Sequence, residues 1–111
     1  MAYDEDLVSL LHEALAGEEG ISEVPMFGGL AFLLHGNIAV AATSRAGLLV
    51  RVGRESVDVA LKRAHSEVAV MGGRTMKDWI LVGSEGVASS RAAAASARRG
   101  ADFARTLPPK R

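Results

Sequence analysis

The sequence predicts a two-layer α+β domain: a five-stranded, mainly antiparallel sheet with three helices, in the order α-β-β-β-α-β-β-α. Three observations carry this expectation. Apolar residues recur at helical spacing in three segments. Between those segments lie apolar runs of strand length. Two junctions between runs, His35-Gly36-Asn37 and Gly72-Gly73, have the composition of tight hairpin turns.

The first helix is read over residues 4–16. Leu7, Leu11, Ala14 and Leu15 fall at i, i+4, i+7 and i+8 and form one apolar stripe. Asp4 has the chemistry of an N-cap, Glu5 and Asp6 suit the positive end of the helix dipole, and Gly17 is a natural stop. The runs Leu30–Leu34 and Ile38–Ala42 follow as two strands joined by the first hairpin. Neither alternates cleanly, the pattern of strands covered on both faces. A turn from Thr43 to Gly47 leads to a third strand, Leu48–Val52, which sets Arg51 on the face opposite Val50 and Val52. Val57, Ala60, Leu61 and Ala64 predict a helix over residues 54–64. Val68–Met71 and Met76–Val82 are then strands flanking the second hairpin. Ser89 or Ser90 can cap a last helix that runs to about Leu107, before Pro108-Pro109.

A chain of 111 residues is the size of one domain. With 49% hydrophobic residues it can build a core without staples, and it has no cysteine, so disulfides, thiolate metal sites and a cysteine nucleophile are excluded. The acidic start, Asp4-Glu5-Asp6, is unlike an export signal. The most apolar stretch, residues 30–42, is broken at His35-Gly36-Asn37 and falls short of the ~20 residues of a membrane helix. A cytoplasmic protein with no membrane segment is expected.

Net charge is zero but unevenly placed. Residues 1–25 carry seven acids and no Lys or Arg, whereas residues 88–111 carry six bases and one acid. Arg91, Arg98 and Arg105 recur every seven residues on one helix face, extended by Lys110 and Arg111. Such a stripe can follow a phosphate backbone. Arg51, Arg74 and Lys77, near Trp79, form a second candidate contact for an anion, unless Arg51 simply stacks on the indole. The histidines, His12, His35 and His65, have no partners at metal-ligand spacing. The serines sit in turns and caps with no nucleophile–base pattern. No catalytic residue, metal site or cofactor is expected.

The segment Met26-Phe27-Gly28-Gly29-Leu30-Ala31-Phe32 resembles the signature of the TfoX N-terminal domain family. Leu49-Val50-Arg51-Val52, then Met71-Gly72-Gly73-Arg74-Thr75-Met76-Lys77-Asp78-Trp79, then Phe103-Ala104-Arg105-Thr106-Leu107-Pro108-Pro109-Lys110 resemble further pieces of it in order. The resemblance spans nearly all 111 residues. It implies an architecture like that of type III secretion chaperones and a regulatory or interaction role without catalysis. The full-length competence regulators of that family carry a second domain that has no counterpart in this sequence. Ala93 and Ser96 depart from the family, which has a large apolar residue and an aromatic near those positions.

Met26, Phe27, Gly28, Gly29, Phe32 and Trp79 are therefore read as structural, with Gly28-Gly29 a backbone bend rather than a phosphate loop. Phe27→Ala is expected to cost about 3–5 kcal/mol if the ring is buried. The leading expectation is a non-enzymatic protein-interaction or regulatory module that forms a homodimer. Its uneven charge could be matched across a two-fold axis. Direct nucleic-acid binding through the last helix is the alternative, and a small anionic ligand near Arg51, Arg74 and Lys77 is a third reading.

Overall fold

The computed structural model describes residues 4–26, 28–43 and 47–109. Helix α1 (Glu5–Leu15) begins at Asp4, whose carboxylate accepts hydrogen bonds from the amides of Asp6 and Leu7. Three antiparallel strands follow, β1 (Ile21–Met26), β2 (Gly29–Leu34) and β3 (Asn37–Ala42), and then β4 (Gly47–Arg51). A 3-10 turn (Arg54–Ser56) enters the short helix α2 (Val57–Ala60). The hairpin β5 (Ser66–Met71) and β6 (Arg74–Gly83), a second 3-10 turn (Ser84–Val87) and helix α3 (Ser90–Arg105) complete the order. No helix among the described residues is long and apolar enough to cross a membrane.

The sheet has six strands in the order β1-β2-β3-β4-β6-β5, every neighbouring pair antiparallel. The expected five-strand count is corrected by β1. Its sequence, Ile21-Ser22-Glu23-Val24-Pro25-Met26, does not alternate and contains a proline. Both features are tolerated because it is an edge strand exposed along its middle. Pairing with β2 in continuous register, Ile21 opposite Leu34 through Met26 opposite Gly29, makes it a strand.

The helix expected over residues 54–64 is also corrected. Only one α-helical turn forms. After Leu61 closes on the Val57 carbonyl, Lys62 and Arg63 bond three residues back, and His65 turns the chain into β5 with φ 65°. The spacing of Val57, Ala60 and Leu61 does face the core, but it extends over a single turn. The two hairpins expected from the sequence, β2–β3 and β5–β6, turn on paired positive φ angles: His35 and Gly36 at 50° and 83°, Gly72 and Gly73 at 59° and 79°. That matches the right-handed twist of the strands.

All helices lie on one face of the sheet. Leu7, Val8, Leu11 and Leu15 of α1 and Ala93, Ala97, Ala101 and Ala104 of α3 share a core with Phe32, Leu34, Val40, Ala42, Leu48, Val50, Ile80 and Val82. The small residues of α3 let it approach closely. A methyl group on Gly100 would stand 2.4 Å from the Ala39 carbonyl oxygen. The departure at Ala93 and Ser96 is thus accommodated by proximity, and both residues are buried.

Alternate residues of the strands point the other way and form a second apolar cluster: Ala31, Ala41, Leu49, Ala69 and Trp79, flanked by Met26, Leu33, Ile38, Met76 and Leu81. Every member comes from a strand. The absence of clean alternation in β2 and β3 is explained by two apolar faces, of which helices cover one.

Candidate functional site

Arg51, at the end of β4, lies opposite Trp79 of β6 in the ladder, and so shares its face. Its guanidinium carbon stands 6.0 Å from the centre of the Trp79 ring and 5.5 Å from that of Phe103, within cation–π range of both. Asp78 supplies the counter-charge, 3.9 Å from Arg51 and 3.9 Å from Arg54. The Arg51 Nε is buried without a hydrogen-bond partner, while the side chain as a whole keeps 22% of its exposure. Stacking and an acidic neighbour hold this cation in place. Arg74 and Lys77 are exposed on the β5–β6 hairpin, and no ion pair joins either to this group among the described residues.

The arginines of α3 differ from one another. Arg91 and Arg98 are exposed. Arg105 donates to Glu18, 2.8 Å away beyond the end of α1, and to Asp102 one turn earlier. These partners, Glu18 first, raise the Arg105 pKa above its ordinary value. The acidic and basic ends of the sequence therefore meet within one chain at this pair, and the expected matching of them across a two-fold axis is not needed to explain it. Lys110 and Arg111 lie outside the described residues.

Of the Met26–Phe32 segment, Phe27 lies outside the described residues, so the consequence expected for Phe27→Ala rests on sequence alone. Gly28 has φ 71°, a left-handed value that favours glycine. Gly29 has no room for a side chain, since a Cβ would fall 1.8 Å from the Ala42 carbonyl oxygen. Phe32 is wholly buried under the helices, with the His12 ring edge-on at 5.3 Å. Met26 is half-buried on the opposite face, and Trp79 is 9% exposed there.

That opposite face carries an apolar cluster to which no helix contributes a residue. Across β1 to β4 the ladder register places Ser22, Val24, Met26, Gly29, Ala31, Leu33, Ile38, Ala41, Leu49 and Arg51 on it, with Arg51 the one charged side chain among these. Small residues in the middle of this set, Ala31 and Ala41, are fully shielded, while Leu33 and Ile38 stand partly free beside them, as Leu81 does on β6. Six strands at ~4.8 Å spacing and about five residues at ~3.3 Å give roughly 450–500 Å² of sheet area.

A pair that sequence spacing did not single out is Arg63, after α2, and Arg99, on α3. Both line a cleft of about 460 Å³ with Val52, Val59 and Phe103, and both line an adjoining cleft of about 220 Å³. Partial burial, and then repulsion from Arg63, hold the Arg99 pKa below its ordinary value. The signal was invisible in sequence because the two residues lie on different elements and come together only in the fold.

Among the described residues no three or more His, Asp or Glu side chains gather as a metal site. No family model, curated protein or solved structure matches this chain.

Proposed function

We propose that the protein is a non-catalytic interaction module whose helix-free sheet face packs against a second copy of the same chain. The observation that carries this reading is the apolar cluster made of strand residues alone. Helices cover one side of an antiparallel sheet, and the other side is normally polar where it meets water. Here it presents Leu33, Ile38, Leu81, Met26 and Met76 instead.

A second copy suits this face for three reasons. Two such faces together offer roughly 1,000 Å², the lower bound for a stable association. Across β1 to β4 the face bears one charged side chain, Arg51, and Glu67, opposite Leu81 on β5, adds a charge of the other sign, so identical surfaces can meet with these charges matched rather than repelling. It also combines small and projecting residues, Ala31 and Ala41 beside Leu33 and Ile38, which a two-fold axis can interdigitate. The resemblance to TfoX N-terminal domains points in the same direction, toward a regulatory role without catalysis. The nucleic-acid alternative is weakened at Arg105, whose charge is engaged by Glu18 and Asp102.

Light scattering on the purified chain across a tenfold concentration range tests the reading. A mass of two chains is expected, and Leu81→Glu should give one chain with an unchanged far-ultraviolet circular dichroism spectrum. A one-chain mass for the unmodified protein at every concentration refutes the dimer.

A further inference from the structure

We infer that Arg63 and Arg99 bind the phosphate group of a small phosphorylated molecule. Both arginines line each of two adjoining clefts, so they form the wall between them. In the smaller cleft they face Ser66 and Ser96, with Val82 and Ala95 alongside, and no carboxylate is among its lining residues. Arg51, Arg54 and Arg105 each have an acidic partner, whereas among the described residues no ion pair is formed by Arg63 or Arg99. Two like charges thus share one wall, Arg99 partly buried and Arg63 exposed, and the carboxylates of Glu55 and Asp102, which line the larger cleft, form no ion pair with either among the described residues. The lowered pKa of Arg99 has the same two causes.

An oxyanion between them relieves the repulsion and matches two planar guanidinium forks. Serine hydroxyls are available as further donors. A dianion fits two cations better than a monocarboxylate does, and a cleft of about 220 Å³ suits a phosphate-sized group rather than a polymer backbone. The larger cleft would then take the organic part of the molecule. Its volume, about 460 Å³, lies in the range of small-molecule sites. Its lining of Val52, Val59 and Phe103, with Glu55 and Asp102 at hand, favours an apolar or cationic moiety over a second anion.

The test is an amide nuclear magnetic resonance titration of the full chain at constant ionic strength. The probes are inorganic phosphate, glycerol phosphate and a short duplex oligonucleotide. Saturable shifts at Ala64, Ser66, Gly86 and Ser96 are expected with inorganic phosphate. Binding should weaken by at least about tenfold in Arg63→Gln and in Arg99→Gln, as loss of a charge-assisted contact predicts, and persist in Arg98→Gln. Glycerol phosphate should add shifts around Val59 and Phe103. Shifts that do not saturate, that map elsewhere, or that are equal in all three variants overturn the inference. Binding of the duplex alone overturns it as well, and reassigns the arginines to nucleic acid. Because shift mapping is read on the unmodified protein, the outcome does not depend on the variants folding, nor on whether the chain dimerises.

Discussion

Gly100 occupies a helix interior, where alanine is favoured by about 1 kcal/mol on propensity alone. The tertiary setting reverses that preference. Its Cβ would stand 2.4 Å from the Ala39 carbonyl oxygen and 2.7 Å from Val40 Cγ1, and a backbone oxygen in a central strand cannot move aside. Gly100→Ala should therefore destabilise the protein, by the ~1–3 kcal/mol typical of overpacking less the propensity gain. Thermal unfolding reads the sign directly, and a melting temperature that rises would show that α3 can shift off β3. Asn37 is a second residue with a single decisive contact. It is 2% exposed at the start of β3, and its Nδ2 donates to the Pro108 carbonyl at 2.9 Å, tying the segment after α3 to the first hairpin. Asn37→Ala should cost about 1–3 kcal/mol, leaving that carbonyl without its donor. Amide exchange at Thr106 and Leu107 should quicken accordingly, whereas unchanged exchange there would assign the anchoring of this segment to its apolar contacts instead.

At the scale of elements, legibility followed from how local the determinants are. The start of α1 at Asp4 is legible, and that of α3 to within one residue, Ser89 or Ser90, of which Ser89 is the cap, since each capping side chain bonds amides two or three residues ahead. The hairpins were readable from Gly36 and Gly72-Gly73, whose positive φ is a local requirement. β1 is not legible in the sequence because nothing within Ile21–Met26 demands a strand; its partner β2 does. The spacing over-reaches at α2 because Ala64 continues it, while the backbone leaves the α-helical pattern at Lys62 and turns at His65. The Arg63–Arg99 wall shows the same limit at the level of a site. Charge repeats along one helix, such as Arg91, Arg98 and Arg105, are visible in a sequence, but the fold divides them, pairing Arg105 with Glu18 and leaving Arg91 and Arg98 exposed.

For the whole molecule, the position of α3 matters most. It packs on β2, β3 and β4 and lies beside α1, so residues near 100 cover a core whose strands lie near 30, 40 and 50. A chain stopped at Gly83 keeps every strand but loses the layer formed by Ala93, Ala97, Ala101 and Ala104. It should show no cooperative thermal transition, and a truncated chain that melts cooperatively as a monomer would mean that α1 alone suffices to cover the sheet. The same arrangement sets an order in time. A ribosome working at about 5–20 residues per second needs roughly 3–13 s to proceed from Ala42 to Arg105. Throughout that interval β2 and β3 exist with their helix-side surface not yet roofed by α3, and the nascent chain is at its most vulnerable to association with its neighbours on the same message.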